Sequence, residues 1–175
     1  MFVPLTIRDH LERARLVYGN RIGIFDEPNQ PAEPLANLTY GEFAAKAKAM
    51  AKGFEELGVE QGGRVAIVSH NASRLLTFLF GTAAWGRVGV PINFRLNHEE
   101  ISYIIKHCGA EILLVDPELR ESLQGIEVKH FLHWATNLMT LFLEMESHSH
   151  GILMKMQQQL LTTPVELQQD PKALK

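Results

Sequence analysis

"RVAIVSHNASRLLTFLFGTAAWGRVGVPINFRLNHEEISYIIKHCGAEILLV", residues 64–115, contains three short apolar runs separated by two longer segments. The runs at 64–69, 87–92 and 111–115 are rich in Val, Ile and Leu and lack the alternation of a half-exposed strand, as expected of strands covered on both faces. The first spacer predicts a helix over about 72–85. Leu75, Leu76, Phe78, Leu79, Phe80, Ala83 and Ala84 make it apolar nearly all round, so it is expected to be buried on several sides. In the second spacer Asn97 and Glu100 have the spacing of a helix cap and its reciprocal partner, and Ile101, Ile104, Ile105 and Cys108 share one face before Gly109. Strands and helices alternating at these lengths require right-handed crossovers and hence a parallel sheet. The fold class is α/β, built on a parallel βαβαβ unit with packed helices.

Upstream of this unit, Thr6 and Asp9 have cap spacing, and Leu11, Ala14 and Val17 follow on one face up to Gly19-Asn20. Residues 21–25, "RIGIF", are a short strand. Pro28, Pro31 and Pro34 make 26–37 a surface loop. Thr39 and Glu42 open a second helix, in which Phe43, Ala47, Met50, Phe54 and Leu57 recur at steps of four and three until Gly58 ends it. Downstream, Asp116-Pro117 starts a short helix ending near Gly125. From residue 131 the alternation of strands and helices is expected to stop. "FLHWATNLMTLFLEME", 131–146, reads as a helix with apolar residues on more than one face, and 131–175 as a divergent tail with Gln-rich stretches. The expected division is therefore 4–130 and 131–175. An exposed apolar face of that size needs a partner, and self-association through 131–145 is one way to supply it.

Composition excludes several function classes. The net charge of −3 with interspersed signs leaves no electrostatic footprint for nucleic acid or for a membrane surface. The 131–146 segment is too short and too interrupted by polar residues to span a bilayer. Cys108 is the only cysteine, so no intramolecular disulfide is possible, and its place on an apolar helix face predicts a packed thiol. With no apolar leader at the start, a reducing cytoplasmic setting is expected, and the glycosylation matches at Asn37 and Asn71 are then accidental.

Motifs for familiar chemistries are missing where they would have to lie. After the first parallel strand a dinucleotide site would carry G-x-G-x-x-G, but the sequence there is "SHNASR". Neither a Walker A loop nor a G-x-S-x-G elbow occurs, and adjacent Ser69 and His70 do not make a nucleophile and base. His130 and His133, or His148 and His150 beside Glu144 and Glu146, invite a metal reading. Without a Cys pair or H-E-x-x-H they are expected to be ordinary histidines, so no metal or catalytic residue is assigned.

"LTYGEF" opening a helix, "LGVEQGGRVAI", an aromatic-rich helix, and "GRVGVPINFRL" followed by "EEISYII" occur here in an order and spacing that resemble the N-terminal portion of the adenylate-forming superfamily over about residues 4–130. Within it the chain looks most like fatty-acyl-CoA synthetases. The resemblance implies a two-step ligation: a carboxylic acid and ATP give an acyl-adenylate, and the CoA thiolate then displaces AMP. It also implies a Ser/Thr/Gly-rich phosphate loop, Mg²⁺ and a C-terminal lysine domain. None of these motifs is found in 1–175, and "LTTPVELQQDPK" lacks the glycines a phosphate loop needs. The expectation is a truncated chain that needs no cofactor of its own, or else a noncatalytic interaction module. In CoA-using members, the corner after the second parallel strand and the turn after the third approach the CoA side of the cleft. On that resemblance Asn93, Arg95 and Arg120 are the candidate binding residues, Arg120 as a partner for a CoA phosphate.

Overall fold

The computed structural model describes residues 5–134. Its elements run α1 (Ile7–Tyr18), β1 (Ile22–Ile24), β2 (Leu38–Thr39), α2 (Tyr40–Glu56), β3 (Arg64–Val68), α3 (Ser73–Ala83), β4 (Val88–Ile92), α4 (His98–Cys108), β5 (Ile112–Val115), a 3₁₀ turn (Pro117–Leu119) and β6 (His130–His133). β1 and β2 form a small antiparallel pair, and the other strands form a parallel sheet in the order β4-β3-β5-β6. The predicted α/β class and parallel unit are present.

Local chemistry sets the helix starts. Thr6, Thr39 and Asn97 each accept a hydrogen bond from the backbone N–H three residues on, and Asp9, Glu42 and Glu100 reach back to the cap N–H, which closes three capping boxes. α2 buries Phe43, Ala47, Met50, Phe54 and Leu57, the face its periodicity predicts, and Gly58 follows at φ +78°, a conformation that a residue without Cβ adopts freely. One core layer contains Phe54, Val65, Ile67, Phe78, Ile112 and Leu114; a second, on the other side of the sheet, contains Ala66, Val68, Ile101, Ile105, Leu113 and Val115. Alternate residues of β3 and β5 thus serve opposite layers, as the pleat requires.

Five expectations are corrected. Phe131–His133 belong to β6, a fourth parallel strand paired with β5, so the sheet continues past residue 130 where a helix was expected; Trp134 follows it into the core, and residues 135–175 lie outside the described part. α3 is not buried through its apolar residues alone: beside Phe78 it buries Arg74, Thr77 and Thr82, while Leu76 and Leu79 remain partly exposed. On α1 only Leu11 is buried, and Val17 faces solvent. Among the described residues β4 is an edge strand with Val88 and Pro91 exposed, and the edge is where a proline without an N–H is tolerated. The short helix predicted after Asp116 is one 3₁₀ turn followed by irregular turns.

Candidate functional site at the carboxyl ends of the parallel strands

In open α/β sheets, ligands bind beyond the carboxyl ends of the strands. The register here pairs Val68 with Val115, so the next residues, Ser69 and Asp116, leave β3 and β5 side by side. Asp116 is fully buried and is a hydrogen-bonding hub. Its carboxylate accepts from Ser69 Oγ at 2.9 and 3.0 Å, from the His70 N–H at 2.9 Å, and from Arg74 Nε at 3.0 Å and Nη2 at 3.2 Å. The two guanidinium contacts form a fork, the geometry in which Arg and carboxylate bind most strongly. Arg74 is itself fully buried, and Nη1 donates to the Glu33 carbonyl at 3.4 Å, tying the 31–35 loop to the cluster.

A second carboxylate, Asp26, fixes the helix carrying Arg74. The N-cap of α3 is Ala72, which has no side chain to offer, and Asp26 reaches in from the loop after β1 to accept the Ser73 N–H at 2.9 Å and the Leu35 N–H at 2.8 Å. Burial opposes ionisation of Asp26, but hydrogen bonds donated by Ser73 and Leu35 outweigh it and hold the carboxyl below the usual aspartate range.

His70 leads from this hub toward solvent. Its Nδ1 lies 3.0 Å from Glu118 Oε1 and 3.3 Å from Asp116 Oδ2, and its ring packs on Phe94 at a centroid distance of 3.9 Å. Phe94 lies between two of the sequence-predicted residues, Asn93 and Arg95. Asn93 Oδ1 accepts the Arg95 N–H at 3.0 Å and closes the turn after β4, and the Arg95 guanidinium lies over the Phe94 ring, 5.4 Å from its centroid. Asn93 and Arg95 therefore share one corner. Arg120 hangs from the turn after β5, two strands away, which is roughly 10 Å at the usual strand spacing. It lies near His133, whose imidazole is pushed below its ordinary pKa by burial and then by the Arg120 charge.

The metal question has a geometric answer among the described residues. His130 and His133 are three apart on β6, so they face opposite sides of the sheet and do not converge. His70, Asp116 and Glu118 bring ligand-type atoms within 4.8 Å of one another. Both Asp116 oxygens, however, are held by the buried guanidinium of Arg74, and a dication there would have to displace that charge. The cluster is an ion-pair hub that shapes the edge. A cleft of 520 Å³ opens beside Arg74 and Glu118 of the hub, walled by Pro31, Pro34, Pro117 and Trp134, with Glu33, Lys46 and His133 as further polar groups. A larger hollow of 980 Å³ between α1 and α2 contains no residue of the parallel sheet, and its charges are mixed, with Arg15 paired to Glu12 at 2.9 Å.

The model for AMP-binding enzymes matches residues 13–170. The chain belongs to the AMP-binding enzyme family. A long-chain-fatty-acid–CoA ligase of Thermus thermophilus is 32% identical over 133 residues, which is 73% of this chain and 24% of the ligase. A feruloyl-CoA synthase of Amycolatopsis is 34% identical over 95 residues, 54% of this chain and 19% of that protein. The chain thus spans a quarter or less of these relatives. The crystal structure of a long-chain-fatty-acid-CoA ligase from Archaeoglobus fulgidus superposes with a TM-score of 0.72 at 20% identity, covering 82% of this chain and 31% of that one, and shares the fold.

The hub residues Ser69, His70, Arg74 and Asp116 do not stand out as a site in the sequence because no motif joins them. A signal existed nonetheless. Arg74 is the one charged residue within an otherwise apolar helix, and Asp116 is a carboxylate immediately after a fully apolar strand. Two such opposite charges next to apolar runs are expected to find each other, since neither is buried cheaply alone.

Proposed function

We propose that this chain forms the N-terminal part of an acyl-CoA ligase fold and that its contribution to the ligation lies on the CoA side. The observation that carries this reading is the placement of Asn93 and Arg95 on one corner of the carboxyl edge with Arg120 two strands along the same edge. Arg is the side chain best shaped to hold phosphate oxygens, and both arginines lie on turns that follow parallel strands at this edge. In the reaction that the family resemblance implies, a carboxylic acid is activated by ATP as an acyl-adenylate, and the CoA thiolate then displaces AMP. The His70, Asp116 and Glu118 group does not fit Mg²⁺, which prefers an octahedral set of oxygens, so no step is routed through a metal held by these residues. A setting with ATP and CoA, such as the cytoplasm, suits the reading.

Calorimetric titration of chain 1–175 with CoA, and separately with Mg-ATP, tests it. CoA is expected to bind, with Arg95→Ala and Arg120→Ala each weakening it; CoA affinity unchanged in both variants refutes the assignment. A noncatalytic module is the second reading, supported by exposed apolar residues such as Leu16 and Phe25, 71% and 74% accessible. It predicts concentration-dependent association in sedimentation and no heat with either ligand.

A further inference from the structure

We propose that Phe94 and His70 are positioning residues that hold the Arg95 guanidinium ready for a phosphate group of CoA, an inference that rests on the CoA-side reading above. An exposed arginine on a turn has many rotamers, and ordering it on binding weakens whatever it holds. Here the ring of Phe94 lies beneath the guanidinium, 5.4 Å from centroid to the guanidinium carbon, and attracts the cation through its face. Phe94 packs in turn on the His70 ring at 3.9 Å, with the planes tilted by 36°.

His70 is fixed more firmly than a surface histidine. Its N–H is bound to Asp116, and its Nδ1 lies against Glu118 and Asp116 at 3.0 and 3.3 Å. Asp116 is immobilised by the forked contact to Arg74. An unbroken series of contacts therefore runs from a fully buried ion pair, through imidazole and phenyl rings, to a guanidinium on the surface. The Asn93 side chain fixes the backbone of the same turn by accepting the Arg95 N–H. The arrangement supports an anion site because the buried Asp116 carboxylate is already matched by Arg74, while Arg95 is exposed with its guanidinium over the Phe94 ring.

The test uses chain 1–175 labelled with ¹⁵N, following CoA affinity and, in the free chain, the heteronuclear NOE of the Arg95 Nε–Hε pair. Phe94→Leu and His70→Gln are expected to weaken CoA about two- to fivefold, the factor a surface cation–π contact supplies, and to lower the NOE, while Phe94→Tyr keeps both. Thermal midpoints identify any variant that fails to fold; His70→Gln preserves hydrogen bonding to the carboxylates and serves if Phe94→Leu does not fold. Unchanged affinity or unchanged NOE in the folded variants overturns the positioning role. If Arg95→Ala still weakens binding in that case, the CoA-side reading stands without it. Failure of the unsubstituted chain to bind CoA overturns both.

Discussion

Helices α2 and α3 lie against each other, yet they use opposite logic. α2 buries its apolar face, with Met50 and Phe54 at zero exposure, as its periodicity demands. α3 is the more apolar helix by sequence, and it buries Arg74, Thr77 and Thr82 while leaving Leu76 and Leu79 near 36% and 37% accessible. Thr77 and Thr82 satisfy themselves by donating to the carbonyls of Ser73 and Phe78 at 2.7 Å, but Arg74 needs Asp116 from another strand. The comparison teaches that periodicity reports orientation only when a helix has no long-range polar debt. Where a buried charge has a partner elsewhere in the chain, that partner decides which face turns inward.

The hardest way to break the contrast is to remove the partner. Asp116→Ala leaves a fully buried guanidinium without its carboxylate and is expected to cost about 3–5 kcal/mol in denaturant unfolding. The double change Arg74→Met with Asp116→Ala is expected to recover a good part of that loss, because an apolar replacement of similar length leaves no charge unpaired. If the double variant is no more stable than Asp116→Ala, the ion pair does not set the orientation of α3.

Next in size is the contact between the two helices. A Cβ at Gly81 would meet the Ala47 carbonyl oxygen at 3.0 Å and Met50 atoms at 3.1 Å. In an exposed helix Gly→Ala stabilises, but here the nearest atom is backbone of α2 and has little room to give. Gly81→Ala is expected to destabilise by about 1–3 kcal/mol, the usual range for overpacking. A stabilised variant would mean that α2 and α3 separate more readily than their packing suggests.

Much of the fold was legible because its local signals agree. Three capping boxes, the apolar runs of β3 and β5, and the α2 stripe each follow from short-range rules, and each was read correctly. What was not legible depends on pairing. β6 carries His130 and His133 among its four residues, so it lacks the apolar run of β3 and β5 and reads as the start of something else. β4 looks as apolar as β3, and only the sheet order makes it an edge. The site divides in the same way. Asn93 and Arg95 came from a motif, whereas the Ser69, His70, Arg74 and Asp116 hub exists only once β3 and β5 are in register.

A smaller effect isolates the cap that orients α3. Asp26→Ala removes the acceptor for the Ser73 and Leu35 N–H groups and is expected to cost about 1 kcal/mol, typical of a lost N-cap. The pH dependence has a defined sign. The folded Asp26 carboxyl lies below its ordinary value of 3.8, so its contribution is present above that value and is lost as pH falls below it through the folded pKa. Unfolding midpoints of the parent and Asp26→Ala should therefore differ at pH 7 and converge as pH falls below 3.8. Equal spacing of the two midpoints across that range would assign the loss to packing and not to the ionised cap.

The smallest effect is on the outer face of α3. Leu76 and Leu79 line an open groove with Ile24 and Phe25, and Phe25 is 74% accessible. Polar substitution there removes little packing, so Leu76→Gln and Leu79→Gln are each expected to cost less than about 1 kcal/mol, the scale of surface changes that leave buried partners intact. Phe78, between them in sequence and fully buried, supplies the control: Phe78→Ala is expected to cost about 3–5 kcal/mol. The ratio between neighbours on one helix is the measurement that matters. A large loss at Leu76 or Leu79 would show that this face is covered in solution, by a second copy or by another part of the chain, and the inverted burial of α3 would then be a property of the described residues and not of the protein. A small loss would show that the Leu76 and Leu79 face is uncovered in solution, as the orientation set by the Arg74 and Asp116 pair requires.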